Sequence, residues 1–214
     1  MLTNGQYILR HSISFFAGIF AMPLVESIFS IGYSAFLAFP ITYFGLNKAI
    51  LFYQQTKQAK QFNLSRSQFI HIEEQLSIAT KNANALTQKY VQVRSVKSFK
   101  VIYEMSKLSK RIISLVRKDP TKFYMIEEFF YAHLPSALEL SDKYALLTKE
   151  QVTGTDIHIA LNDARVTLKA LYETMETDLK KALSADIESL KIELDFAKLA
   201  NEQRQNELKV DGDN

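Results

Sequence analysis

The sequence predicts an all-α protein in which an N-terminal transmembrane helical hairpin precedes a cytoplasmic helical bundle with a long, coiled-coil-like C-terminal helix. Helix breakers are scarce, because the 214 residues include only 6 glycines and 4 prolines. The N-terminal part is almost free of charge. After it, apolar residues recur every three or four positions, which is the period of an amphipathic helix.

The composition excludes several kinds of site. With Cys 0, the chain has no disulfide, no thiolate metal site and no cysteine nucleophile. The formal net charge is +3, and the length fits one or two domains. The mean hydropathy of −0.08 averages an apolar beginning with a polar remainder.

Residues 1–53 are predicted to form the membrane hairpin. From residue 12 to residue 53 the only formal charges are Glu26 and Lys48. A hydrocarbon core of about 30 Å needs about 20 helical residues, so this stretch is long enough for two spans. The spans are placed at 9–29 and 33–52, joined by a turn at Ser30, Ile31 and Gly32.

Basic residues beside the two predicted spans indicate their orientation. Arg10 lies at the start of the first span, and Lys57 and Lys60 follow the second. Positively charged flanks stay on the cytoplasmic side of a membrane. We therefore expect a location in the cytoplasmic membrane, with both termini and the region 54–214 in the cytoplasm.

Two alternatives to the membrane hairpin stay open. Arg10 and the apolar run to Ala21 imitate a signal peptide, although no A-x-A cleavage site follows the run. A buried core hairpin of a soluble protein is compatible with Pro23 and Pro40, although soluble core helices are seldom apolar on all faces.

Residues 54–209 are predicted to form one helical domain. Apolar residues from Phe69 to Val93 step alternately by three and four, which is a heptad seam. A second amphipathic helix, with its apolar residues at 102–115, stops at Asp119 and Pro120. The Asp119 carboxylate is suited to cap the next helix, and proline is suited to the first helical position.

Two further helices complete this domain. The first contains the aromatic residues of 123–131, which we interpret mainly as core packing, and should kink near Pro135. The last helix is predicted at 155–208, about 80 Å long at 1.5 Å per residue. Residues 210–214 should form a frayed tail.

The last helix offers a possible partner surface. Its heptad spacing fits both packing within one chain and pairing between two chains, so a monomeric bundle and a homo-oligomer are both open. The preceding helices can cover only part of its length. The proposed surface consists of Leu190, Leu194 and Ala197.

Charge divides the helical region into two parts. Residues 54–118 hold 13 Lys and Arg against 3 Asp and Glu, net +10, whereas residues 119–214 hold 11 against 19, net −8. Oppositely charged helices could pair, or the basic region could contact anionic lipid headgroups. Because no nucleic-acid-binding motif accompanies the basic residues, we expect no nucleic acid as partner.

Motifs of catalysis are missing from the sequence. It contains no G-x-x-x-x-G-K-[ST], no G-x-S-x-G and no H-E-x-x-H. We expect no metal site and no cofactor, since the histidines are scattered and the carboxylates of the last helix read as a solvated face. The histidines are His11, His71, His133 and His158.

Two sets of residues carry a resemblance to a known family. One is Val116–Tyr124 with Phe129–Tyr131, Leu134–Pro135 and Lys143–Leu147, and the other is Leu179–Leu183 with Asp186–Glu193. With the order of hairpin and helical region, they resemble the XpaC-like proteins, also called 5-bromo-4-chloroindolyl phosphate hydrolysis proteins.

The resemblance implies a bacterial protein associated with hydrolysis of a chromogenic phosphate ester, often beside proteins of tellurite and toxic-anion resistance. It supplies no catalytic residue. We therefore expect a non-catalytic scaffold or adaptor in envelope or toxic-anion stress, with a toxic-anion-resistance protein as a possible partner. The alternative is a phosphatase with a site near Arg117 and Asp119, so the question of catalysis stays open.

Overall fold

A computed structural model describes residues 4–29, 38–92, 96–149 and 154–212, and over these residues the chain is helical without any strand. The predicted all-α class is therefore confirmed. The α-helices are α1 (Asn4–Phe29), α2 (Ala38–Gln61), α3 (Arg66–Gln92), α4 (Val96–Lys118), α5 (Leu134–Lys149) and α6 (Thr155–Gly212). A 3₁₀ helix (Pro120–Met125) and a π-helix (Phe129–His133) lie between α4 and α5.

The chain divides into two compact units, Met1–Gln75 and Leu76–Asn214. The division falls inside α3, later than the boundary after residue 53 that the loss of apolar residues predicts.

In the first unit, α1 packs closely against α2. The rings of Phe15 and Phe39 meet edge to face with centroids 5.9 Å apart. A Cβ atom at Gly18 would lie 2.8 Å from Cδ2 of Phe39, closer than any normal contact. Glycine at this position therefore allows the two helices to approach.

The transmembrane assignment of these helices is not supported. Among the residues that the structure describes, none of the helices combines the length and the apolar character needed to cross a membrane. Arg10 and His11 lie within α1, and the second half of α2, after Lys48, is rich in Gln and Lys. The spans at 9–29 and 33–52 thus lack support, and the turn at Ser30–Gly32 lies outside the described residues.

A buried heptad seam runs along α3. The seam predicted from Phe69 is confirmed, since its described members on both sides of the unit boundary are at most 3% exposed. Val93 lies outside the described residues, and the side chain of Tyr90 is not described. The buried seam residues are Phe69, Ile72, Leu76, Ala79, Ala83 and Leu86.

A buried hydroxyl ties α3 to α4 within this core. Ser106 Oγ lies 3.1 Å from the carbonyl oxygen of Ala83, to which it donates, and 2.6 Å from Thr87 Oγ1. These bonds satisfy a polar group that would otherwise be costly to bury.

The last helix is longer than predicted. α6 has 58 residues and ends at Gly212 rather than at residue 208, so residues 210–212 are helical and only 213–214 of the expected tail lie outside the described residues. Leu168, Met175 and Ala182 are fully buried at a spacing of seven residues. After Ser184 every residue with a described side chain is exposed.

Candidate functional site

The segment 119–134, here called the aromatic segment, connects α4 to α5 and packs on α6. It begins at Asp119, whose Oδ1 accepts hydrogen bonds from the backbone N–H of Thr121 at 3.1 Å and from its Oγ1 at 2.5 Å. Pro120 occupies the first position of the 3₁₀ helix. The predicted cap is therefore confirmed, although the helix it starts is a short 3₁₀ helix.

A π-helix stands where the sequence predicts a kink. Phe129–His133 form this π-helix, and α5 begins directly after it at Leu134. Pro135 thus lies directly after the π-helix within a continuous helical run, where it supplies no backbone N–H. Single π-helical turns are rare and often occur at functional sites.

The aromatic residues of the segment form a small core of their own. Phe123 and Phe130 have ring centroids 4.8 Å apart, and Phe129 meets Phe130 edge to face at 5.0 Å. All three side chains are buried, whereas Tyr124 and Tyr131 are 44% and 50% exposed. The interpretation of this cluster as mainly core packing is therefore confirmed.

A buried carboxyl group on α6 holds the π-helix. Asp178 is 2% exposed, and its Oδ2 lies 2.7 Å from Nδ1 of His133. The expectation of a solvated carboxylate face on α6 is wrong for Asp178. The seven-residue spacing of Met175 and Ala182 could have signalled this, because Asp178 lies between them on the buried side.

A second polar contact holds the 3₁₀ helix. Lys122 is 8% exposed, and its Nζ donates to the carbonyl oxygen of Ala182 at 2.9 Å and to Asp186 Oδ2 at 2.5 Å. Lys122 lies in the stretch Val116–Tyr124 that carries the family resemblance, but nothing in that stretch indicates that its side chain is buried. The two contacts fix both ends of the aromatic segment to neighbouring turns of α6.

A small cavity of about 200 Å³ opens next to Asp178. Glu127, Glu128, Asp178 and Lys181 contribute to its wall, so its charge is mainly negative. Partial burial, Glu127 and Tyr124 raise the pKa of Tyr131 above its ordinary value. The excess of carboxylates in the wall of this cavity does not favour the binding of a phosphate ester.

The two candidate catalytic residues have other partners. Asp119 serves as the helix cap, and the exposed Arg117 donates from Nη2 to Thr80 Oγ1 at 3.2 Å. Within the described ranges, no group of three or more His, Asp or Glu residues is arranged to hold a metal ion. A role of Arg117 and Asp119 in catalysis stays a prediction.

The candidate partner surface lies on the exposed end of α6. Leu190 and Leu194 are 55% and 49% exposed, and Ala197 is also exposed. A second apolar group, formed by Ile192, Phe196 and Leu199, lies on another side of the same helix. Exposed apolar residues grouped in this way mark interaction surfaces.

Comparison with known proteins gives one family and one curated relative. A family model described as 5-bromo-4-chloroindolyl phosphate hydrolysis protein matches residues 9–197. Protein XpaC of Bacillus subtilis (strain 168) is 34% identical over 139 residues, which cover 65% of this chain and 68% of the relative. No solved structure matches.

Proposed function

Since this chain belongs to the 5-bromo-4-chloroindolyl phosphate hydrolysis protein family, we propose that it is a helical scaffold of that family that self-associates through α6. The exposed heptad seam after Ser184 is the observation that carries the proposal. The proposed occupant of this seam is a second copy of the chain.

The seam continues the heptad pattern into the exposed end of the helix. Ile187, Leu190, Leu194 and Ala197 follow one another at spacings of three, four and three residues. The first three side chains are 46%, 55% and 49% exposed. Burial of a leucine side chain stabilises an interface by roughly 1.5–3 kcal/mol, so covering the seam is favourable.

The charges beside the seam favour a parallel second copy. With Ile187 at heptad position a, the acids Asp186 and Glu193 occupy position g, and the bases Lys191 and Lys198 occupy position e. In a parallel pair, g residues face e residues of the partner, whereas in an antiparallel pair like charges would meet.

Asn201 adds a further argument for this arrangement. It follows Ala197 at the next a position of the seam and is exposed. A single asparagine at position a fixes the register of parallel coiled-coil dimers at some cost in stability. The expected assembly is therefore a parallel, in-register dimer.

Replacement of Leu190 and Leu194 by lysine should weaken self-association at least about 100-fold, because two buried leucines per chain are lost from the interface. Sedimentation equilibrium of the full-length protein measures the change. Ile192→Lys is the matched control, since Ile192 is similarly exposed on the other side of the helix. Circular dichroism should show unchanged helix in both variants; equal dimerisation of both would contradict the proposal.

A charge exchange tests the parallel orientation. Glu193→Lys should weaken the dimer about 5-fold, because it places a lysine opposite Lys198 of the second copy. Exposed ion pairs contribute up to about 1 kcal/mol each. The double variant Glu193→Lys with Lys198→Glu should regain the parent affinity. Asp186 is less suitable, because it already accepts from Lys122. Failure of the double variant to recover would exclude the parallel pairing.

Measuring the turnover of 5-bromo-4-chloroindolyl phosphate distinguishes the scaffold proposal from the phosphatase alternative. The purified full-length protein, with and without divalent metal ions, should give no turnover above a protein-free control. The comparison variant is Arg117→Ala with Asp119→Ala, tested for helix content because Asp119 is a cap. Turnover that disappears in the folded double variant would overturn the scaffold proposal and locate an active site near these residues.

The remaining expectations concern location and further partners. They are a bacterial cytoplasmic membrane with the helical region on the cytoplasmic side, anionic lipids beside the basic region 54–118, and a toxic-anion-resistance protein as partner. These stay predictions, and the dimer tests above do not depend on them.

A further inference from the structure

Arg10 is a buried cation in the first unit. It is 8% exposed, although Ile8 and Leu9 beside it are 63% and 58% exposed. Within the described part of the chain, its Nε has no hydrogen-bond partner, and the ion pairs formed there do not include it. A buried charge normally has a counter-charge, because removal from water is otherwise costly.

The tautomer of the neighbouring His11 determines what Arg10 faces. His11 Nδ1 lies 2.7 Å from the Tyr43 hydroxyl and 3.1 Å from Asn47 Nδ2, and Arg10 Nη2 lies 3.4 Å from His11 Nε2. When Nδ1 accepts from Tyr43 and Asn47, the ring proton is on Nε2. In this tautomer Arg10 and His11 face each other as donors, and an acceptor that bridges both would satisfy them.

The contact of Arg10 with Tyr7 leaves the charge uncompensated, and a second polar group nearby on α1 is also unsatisfied. The guanidinium lies 5.3 Å from the ring centroid of Tyr7, a cation–π contact that supplies no oxygen. One turn further along α1, Ser14 is fully buried, and its Oγ also has no partner among the described residues. The inner side of α1 therefore presents several unsatisfied polar atoms close to one another.

A cavity of about 400 Å³ lies between α1 and α2. His11 forms part of its wall, and its other walls are largely aromatic. The lining residues are His11, Ser12, Phe15, Phe16, Phe39 and Tyr43. A ligand held at His11 would therefore have its remaining atoms against apolar rings.

We propose that Arg10 and His11 bind a phosphate oxygen of a phospholipid headgroup, with the adjoining apolar part of the lipid against the aromatic cavity. A phosphate group offers charged acceptor oxygens that can bridge both donors. The lipid is favoured over free phosphate because the same helices expose Phe20, Ile41 and Phe44 at 63% or more. The proposal concerns binding without hydrolysis, and it is independent of the dimer seam on α6.

Flotation of the full-length protein with vesicles tests this site. The vesicles contain phosphatidic acid in phosphatidylcholine, and a parallel titration uses inorganic phosphate with thermal unfolding as the readout. Arg10→Gln removes the charge, Arg10→Lys keeps the charge but not the planar guanidinium, and Lys48→Gln removes an exposed charge next to Asn47 in sequence.

Arg10→Gln should bind the vesicles at least about 10-fold more weakly than Lys48→Gln, and Arg10→Lys should lie between Arg10→Gln and the parent. Because Arg10→Gln removes an unpaired buried charge, it should fold at least as well as the parent, as circular dichroism would show. If inorganic phosphate raises the melting temperature of the parent but not of Arg10→Gln, while vesicles do not bind, the phosphate site stands with the free anion as ligand. Equal behaviour of Arg10→Gln and Lys48→Gln in both arms would overturn the site.

Discussion

Substitution of Phe129 by alanine should lower the free energy of unfolding of the second unit by about 3–5 kcal/mol, which is the usual cost of removing a buried phenylalanine. Phe129 is fully buried and packs edge to face against Phe130. It also begins the π-helix that docks on α6. Urea unfolding of the full-length protein, followed by circular dichroism at one fixed protein concentration, measures the loss.

Tyr131→Ala provides the control for this experiment. Tyr131 belongs to the same π-helix, but its side chain is 50% exposed. Its removal should therefore cost less than about 1.5 kcal/mol, since little buried volume is lost. If both variants were equally destabilised, the π-helix itself rather than the aromatic core would be the sensitive feature.

Removal of His133 should destabilise the same unit by about 3–5 kcal/mol, because His133→Ala leaves a buried carboxylate without its partner. Asp178 is 2% exposed, and the bond to His133 is its described hydrogen bond. The replacement of both residues, as in His133→Leu with Asp178→Leu, should be less harmful than the single change, since no polar group is then left unsatisfied.

The appropriate comparison is an exposed pair elsewhere in the same unit. Glu139→Ala removes the partner of Lys143 in a pair with both side chains 69% exposed, and it should leave stability almost unchanged. Chemical unfolding of the parent, His133→Leu, Asp178→Leu and the double variant gives the coupling between His133 and Asp178. A cost below about 1 kcal/mol for His133→Ala would mean that water reaches Asp178 in solution.

The parts of the fold that were predictable from sequence are those governed by local periodicity. The heptad seam of α3, the stop of α4 before Asp119 and the cap at that residue need only neighbouring residues, and all three are present. Hydrophobic spacing and capping act within one or two turns of a helix. These features can therefore be predicted from the sequence without knowledge of tertiary contacts.

The features that escaped prediction depend on contacts between distant residues. His133 and Asp178 are 45 residues apart, and Lys122 lies 60 residues before Ala182, so neither contact follows from local spacing. On α6, the spacing of Met175 and Ala182 favours Asp178 as the inward-facing residue, whereas Leu179 and Leu183 continue a competing apolar spacing from Met175. The position of the aromatic segment decides between them. The sequence places apolar residues on the inside by default, and a buried carboxylate violates that rule.

The membrane hairpin illustrates a limit of composition. The stretch from residue 12 to 53 is poor in charge, and this property predicts two spans. The described helices do not meet the requirement of length and apolar character together. The sequence predicts Arg10 as a charge that flanks the first span. In the structure it lies on the inner side of α1, where it defines the proposed phosphate site.

The exposed end of α6 has a consequence for how the protein responds to its own concentration. Without a packing partner, a helix is held only by its own backbone hydrogen bonds and by its helix propensity, and it frays easily. Amide protons around Leu168 and Met175 should exchange slowly at any dilution, because these residues are buried within the unit. Amide protons after Ser184 should become protected only as the proposed dimers accumulate. The exchange rate of this stretch of α6 should therefore fall as the protein concentration rises.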